Sequence, residues 1–126
     1  MAFYKCENLT DIKIPEKVKL IGAQTFSGSG LRSVQFSSGI TSISKGAFFD
    51  CQGLAKLTIP ESVKSIGRGA FSRCANLESV TFSGNTPLAS SDAFAGTSPT
   101  VYYTAGTQGW SKQFSGLNTE ETPSEP

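Results

Sequence analysis

The sequence contains no histidine, and only 3 cysteines, 1 methionine and 1 tryptophan among 126 residues. Without histidine the commonest general base is missing, and so is the usual activator of a serine or cysteine nucleophile. The carboxylates Asp11, Asp50, Glu61, Glu78 and Asp92 fall in different columns of the repeat described below, so they form no acid–base pair and read as solvated turn residues. No catalytic residue is assigned, and the chain reads as a non-enzyme. With no imidazole and no C-x-x-C pair, zinc is not expected, and neither is any other metal or cofactor.

Charge is scarce as well. Lys, Arg, Asp and Glu make up 17% of the chain, with 11 basic residues against 10 acidic and a net charge of +1. Setting aside Glu120, Glu121 and Glu125 leaves 11 basic against 7 acidic, a mildly basic body too weak to attract nucleic acid or an anionic membrane surface. No apolar run reaches the roughly 18 residues of a membrane-spanning helix, and no basic-then-apolar leader is visible. Met1 is followed at once by a repeat motif, so the chain enters in mid-repeat, and a leader and earlier coils are expected upstream.

What the sequence has is periodicity. A small residue followed by phenylalanine recurs as Ala2-Phe3, Thr25-Phe26, Ala47-Phe48, Ala70-Phe71 and Ala93-Phe94, in steps of 23, 22, 23 and 23 residues. A period of that length signals a solenoid whose units contact chiefly their neighbours. Aligned on these boxes, the first and third units match at Phe3/Phe48, Cys6/Cys51, Leu9/Leu54, Ile12/Leu57, Ile14/Ile59, Val18/Val63 and Ile21/Ile66. The second unit is one residue short in its Ser-Gly stretch and recovers register at Leu31, Val34, Phe36, Ile40 and Ile43. The fourth keeps Phe71, Cys74, Leu77, Val80 and Phe82, then loses the late column to Thr86 and Ala89, where regular winding is expected to end.

The pairs Ile12/Ile14, Val34/Phe36, Leu57/Ile59 and Val80/Phe82, with Val101/Tyr103 as a fifth, alternate as half-buried strands do. A second short extended segment is expected around Val18 to Ile21, Ile40 to Ile43 and Val63 to Ile66. The three-to-four residue spacing after each box phenylalanine predicts a helical or 3₁₀ turn. Residues 1–116 therefore read as one solenoid of about four coils of 22–23 residues, starting near 2, 25, 47 and 70, with a partial coil at 93 and a C-terminal cap. In the cap, Thr100 to Tyr103 forms a last strand and Trp110 and Phe114 close the core. The Pro- and Glu-rich residues 117–126 read as a disordered acidic tail or linker.

The pattern A-F-x-x-C-x-x-L-x-x-[LIV]-x-[IF]-P-x-x-V-x-x-I-G, over about residues 2 to 103, resembles the BspA-type leucine-rich repeats of bacterial cell-surface proteins. The second unit departs from it with Gly28 or Ser29 for cysteine, and Ser37 and Ser83 stand where the other coils carry proline. The resemblance implies a right-handed leucine-rich-repeat solenoid with short parallel strands lining one face. It also implies a secreted or surface-attached bacterial protein working in adhesion or protein binding, with a host matrix or other surface protein as partner.

On the expected strand-lined face the outward positions are Asp11, Lys13, Ser33, Gln35, Lys56, Thr58, Ser79, Thr81 and Tyr102, with Thr100 beside the last. They form the candidate protein-binding surface, small and polar, with few of the aromatic and arginine anchors typical of hot spots. Two other readings stay open: a structural spacer within a larger surface protein, and a carbohydrate-binding module using Tyr102, Tyr103 and Trp110. The uncapped first coil also allows an N-terminal homodimer. Cys6, Cys51 and Cys74 are spaced by whole coils. Cys6 and Cys51 would lie about 10 Å apart, beyond disulfide reach, whereas Cys51 and Cys74 are neighbours. Buried free thiols are the favoured reading, with a Cys51–Cys74 bridge left open.

Overall fold

Phe26, Phe48, Phe71 and Phe94 lie one over another, with ring centroids 5.2 Å apart in each successive pair and planes within 13° of parallel. The computed structural model describes residues 6–111 and 113–122; the Ala2-Phe3 box, Lys112 and residues 123–126 lie outside them. The phenylalanine stack is the spine of a parallel β-solenoid of about five turns. Leu31, Leu54, Leu77, Ile40, Ile43 and Ile66 fill the remaining core, each almost fully buried.

Each coil contributes two short strands. The first set is β1 (Asp11–Lys13), β3 (Ser33–Gln35), β5 (Lys56–Ile59), β7 (Ser79–Phe82) and β9 (Thr100–Thr104). The second is β2 (Leu20–Ile21), β4 (Ser42–Ile43), β6 (Ser65–Ile66) and β8 (Leu88–Ala89), a continuous parallel sheet in that order. Ile43 pairs with Ile66, and Ile66 with Ala89. Winding thus persists through the fourth coil, where it was expected to fade, because Ala89 can occupy the isoleucine position of the ladder without an equal side chain.

Between the second strand of one coil and the first of the next, the box phenylalanine sits in a turn. The expected helical or 3₁₀ turn is absent, and no helix occurs among the described residues. The N–H groups of Gln24, Phe26 and Gly28 donate to the carbonyls of Lys45, Ala47 and Phe49 in the next coil, at 3.1, 2.8 and 2.8 Å. Gly46, Phe48 and Asp50 repeat the pattern onto Arg68, Ala70 and Ser72. Intervening residues close local turns, as Ser27 does onto the Gln24 carbonyl and Phe49 onto that of Gly46. The physical reason is a change of hand: φ is positive two residues before the phenylalanine, at Gln24 (56°), Gly46 (64°) and Gly69 (62°). It is positive again two residues after, at Gly28 (69°), Asp50 (61°) and Arg73 (61°). A left-handed residue interrupts right-handed winding and turns alternate N–H groups toward the neighbouring coil.

The far end is closed by a hairpin of β10 (Gln113–Phe114) and β11 (Leu117–Thr122), the latter parallel to β9 with Glu120 opposite Tyr102. Residues 117–122 are therefore a strand, correcting the expectation of a disordered tail or linker. Their polar sequence has little to bury, but β9 supplies an unpaired edge that satisfies their backbone. Trp110 and Phe114 pack over Phe82, with ring centroids 5.0 and 5.1 Å away.

Candidate protein-binding surface

The nine residues read from the sequence as an outward face all lie on β1, β3, β5, β7 and β9, and the pairing registers bring them into two columns. One runs through Asp11 and Ser33, then Lys56 and Ser79; the other through Lys13 and Gln35, then Thr58, Thr81 and Tyr102. Asp11, Lys13, Ser33, Gln35, Lys56 and Thr58 are exposed, and Ser79, Thr81 and Tyr102 half-exposed. Asn118 and Glu120 of β11 flank the far end of this face, and Glu120 pairs with Tyr102. Sequence reasoning missed both by treating their segment as a tail; the only signal was a weak alternation of threonine with acid.

The first-strand wall is not continuous. β1 pairs with β3 alone, while β5 joins β7, β9 and β11, and no ladder connects β3 to β5. The bonds of the β3 region run back to the first coil: Arg32 and Ser33 N–H onto the Thr10 carbonyl, and Ile14 N–H onto the carbonyl of Gln35. The second coil is also the one that is a residue short. Its Gly30 lies so close to the first coil that an added Cβ would stand 2.0 Å from the Glu7 carbonyl oxygen. Between β3 and β5 a fissure opens, with Val34, Phe36 and Pro60 along it and Gln35, Lys56 and Thr58 at its mouth. Val34 and Phe36 are half-exposed, whereas their counterparts Leu57 and Ile59 are 3% and 1% exposed. Sequence reasoning placed both in the core, although the one-residue deficit was visible in the alignment.

Electrostatics on this face are sparse. The Asp11 carboxylate accepts from the Ser33 hydroxyl at 2.5 Å and from the Thr10 hydroxyl at 3.2 Å. Among the described residues Lys13 and Lys56 take part in no ion pair, and the sole salt bridge is Arg68–Asp92 at 3.5 Å, on the turn side. There the Ser90 hydroxyl at 2.6 Å, with the Gly69 N–H and Arg68, holds the Asp92 carboxyl below the usual aspartate range.

The other candidates are structural. The Cys51 and Cys74 thiols are free and buried, and they donate to the carbonyls of Phe26 and Phe48 at 3.0 and 3.2 Å. Burial pushes both thiols up, Cys74 to about 12, which leaves neither available as a thiolate near neutral pH. Ser29 replaces cysteine in the second coil, its hydroxyl 3.4 Å from the Cys51 sulfur. The aromatics proposed for sugar stacking do not share a platform. Tyr103 and Trp110 stack on each other at 5.2 Å, and the indole N–H donates to the Gly84 carbonyl. Tyr102, the next residue in an alternating strand, faces the other way.

Comparison with known proteins bears on both fold and setting. The family model of the BspA type leucine rich repeat region, in six copies, matches residues 1–107. A leucine rich repeat protein of T. pallidum is 30% identical with a TM-score of 0.70, the match covering 80% of this chain and 49% of that one. A leucine-rich repeat protein from Eubacterium ventriosum is 28% identical with a TM-score of 0.62, over 77% of this chain and 27% of that one. A leucine rich cell surface protein from Faecalibacterium prausnitzii, at 23% identity and a TM-score of 0.64, shares the fold over 82% of this chain and 38% of that one. The chain thus spans less than half the length of each of these structures. No functionally curated protein matches it.

Proposed function

The chain belongs to the BspA-type leucine-rich repeat family, and from that premise we propose that it is a non-enzymatic protein-binding module of a bacterial cell-surface protein. It binds through the outward face of β1, β3, β5, β7 and β9. The observation that carries this reading is the alignment of Asp11, Lys13, Ser33, Gln35, Lys56, Thr58, Ser79, Thr81 and Tyr102 along one wall. Short parallel strands spaced about 4.8 Å apart hold such side chains at fixed intervals on a rigid support. A partner then meets a pre-arranged surface and loses little entropy to ordering it. Relatives such as the F. prausnitzii protein, described as a cell surface protein, support that setting. The surface is polar and short of large anchors, so individual contacts are weak and repetition along a longer array supplies avidity.

The test is binding of the purified chain to immobilised host matrix proteins, collagen and fibronectin, and to whole bacterial surface extracts. Lys13→Glu, Gln35→Glu, Thr58→Glu and Thr81→Glu together should abolish capture, while a control with Lys45→Glu and Arg73→Glu on the turn side should retain it. Capture unchanged by the four strand-face substitutions would overturn the reading.

A further inference from the structure

The corner that follows each first-wall strand alternates between bulky and small residues. The first and third coils place Pro15-Glu16 and Pro60-Glu61 there, and the second and fourth place Ser37-Ser38 and Ser83-Gly84. Successive levels stack closely: a Cβ on Gly39 would stand 2.4 Å from the Glu16 carbonyl oxygen, and one on Gly84 2.7 Å from the Glu61 Cβ. The small residues leave notches beside the Pro-Glu steps. The notch over the first two coils has a volume of about 680 Å³, inside the roughly 300–1,000 Å³ of small-ligand sites. Lys13, Glu16, Gln35, Phe36 and Ser38 line it. Ser38 also borders the next notch, with Glu61, Lys64, Ser83 and Asn85, so the two follow one another along the solenoid axis.

Three properties of this corner select a ligand. Charge is balanced, because each notch holds one carboxylate and one ammonium, Glu16 with Lys13 and Glu61 with Lys64, and neither sign of ligand is favoured. Side-chain hydrogen-bonding capacity is unspent. Among the described residues none of Lys13, Glu16, Gln35 and Ser38 uses its side chain in a hydrogen bond or ion pair, and Asn85, whose Oδ1 accepts the Gln108 N–H, keeps its own amide N–H groups free. Backbone capacity, by contrast, is used up. Pro15 and Pro60 have no N–H, their carbonyls accept from Val18 and Val63 at 3.0 and 3.2 Å, and the Ile14 N–H is bonded to the Gln35 carbonyl. An extended peptide therefore finds no ladder to join here, whereas hydroxyl groups find donors and acceptors among the side chains. Amid these polar groups lies half-exposed Phe36, its ring held edge-on by Phe48 at 5.8 Å.

We propose that this corner groove binds a neutral glycan, with one sugar ring lying on Phe36 and its hydroxyls meeting Glu16, Gln35 and Ser38. A sugar ring joins an apolar C–H face to a rim of hydroxyls, and Phe36 with its polar surround is the complement of both. Each hydroxyl donates and accepts, so it satisfies the Glu16 carboxylate and the Lys13 ammonium alike. Coils rise by about 4.8 Å, close to the length of one unit of an extended β-linked chain, so a glycan running along the axis reaches Glu61 and Asn85 in the third and fourth coils. The groove borders the strand face and shares Lys13 and Gln35 with it, but it does not depend on that face binding protein.

The experiment titrates cellotetraose, chitotetraose and maltotetraose, with glucose as the monomer control, into the isotope-labelled chain and follows backbone amide shifts. At least one tetrasaccharide should shift amides within residues 13–16 and 35–38 and bind more tightly than glucose. Phe36→Leu, which keeps an apolar side chain against Phe48, should weaken that binding about tenfold. Ser38→Gln, an exposed change that fills the notch and leaves the core untouched, should weaken it comparably with the unfolding midpoint unchanged. A blocked Ser-Thr-Gly-Thr-Ser peptide should leave these amides where they are. Silence from all three tetrasaccharides, shifts centred on Tyr102, Tyr103 and Trp110, equal shifts from the peptide, or full binding by Ser38→Gln overturns the groove as a glycan site. Ser38→Gln also separates this site from the strand face, since it should still capture matrix proteins. Loss of capture together with sugar binding would overturn a separate glycan site and make the groove part of the protein-binding face.

Discussion

The second and third coils meet along three lines, and only one of them is open. On the second wall β4 pairs with β6, and in the turns three N–H groups cross from Gln24, Phe26 and Gly28. On the first wall β3 and β5 face each other without a ladder. The same backbones, separated by the same rise, are thus joined or parted according to local chain length. A residue lost just before β3 leaves the phenylalanine stack and the turn bonds of this coil in place. Solenoid register is therefore carried chiefly by the turn side, and the strand-lined side can be deformed without unwinding the molecule.

The largest expected effect removes what both sides share. Phe48→Ala takes out a ring stacked between Phe26 and Phe71 and touching Phe36, and should cost about 3 to 5 kcal/mol in denaturant unfolding. A loss below about 1 kcal/mol would mean that the stack does not hold the coils. The open and closed regions can then be compared with one substitution in one column. Val80 is 0% exposed, so Val80→Ala should cost about 2 kcal/mol from lost burial and a cavity. Half-exposed Val34 should cost less than half of that on the same change. Equal losses would show the fissure to be closed in solution.

Much of this was legible beforehand, and for identifiable reasons. Phenylalanines recurring at steps of 22 or 23 residues gave the stack of Phe26, Phe48, Phe71 and Phe94, since a bulky ring recurring once per turn has its equivalents as neighbours. Alternation gave the outward set from Asp11 to Tyr102, because a strand reverses its side chains at every residue. The left-handed turns were half visible: Gly28 and Gly96 mark a column that Asp50 and Arg73 also occupy, and those two carry no such mark. β11 was hidden because its order comes from the edge of β9, a tertiary source that its polar residues do not announce. The exposure of Phe36 was hidden for a similar reason. Its apolar column realigned after the missing residue, and hydrophobic pattern records which side chains suit a core, not whether the backbone closes over them.

Smaller changes sharpen the contrast from the closed side. Cys51→Ala removes the thiol that donates to the Phe26 carbonyl and so loosens the joined edge of the same two coils, at about 1 kcal/mol. Cys51→Ser should cost less, because Ser29 already serves in that column. In the folded chain Cys51 and Cys74 should resist thiol reagents at pH 8 and become labelled on unfolding. Complete labelling of the native chain at once would contradict their burial. The smallest effect concerns pH. Asp92 is held below the usual aspartate range by Ser90, the Gly69 N–H and Arg68, so it contributes stability above its unfolded pKa and loses it as pH falls through the lowered folded value. Asp92→Asn should flatten the acid side of the stability profile slightly, seen as a smaller shift in melting temperature on acidification. An unchanged acid limb would remove Asp92 as the pH-sensitive rung of the turn ladder.

Residue-resolved native-state hydrogen exchange tests the central contrast most directly. The amides of Gln24, Phe26, Gly28, Gly46 and Phe48, and that of Ser44 on the second wall, should be strongly protected, with β5 amides facing β7 protected alongside them. Amides of β3 and β5 that face each other should exchange orders of magnitude faster. Uniform protection across both walls, or turn amides that exchange as fast as the β3 and β5 edges, would contradict an array held by its turns and opened at one strand pair.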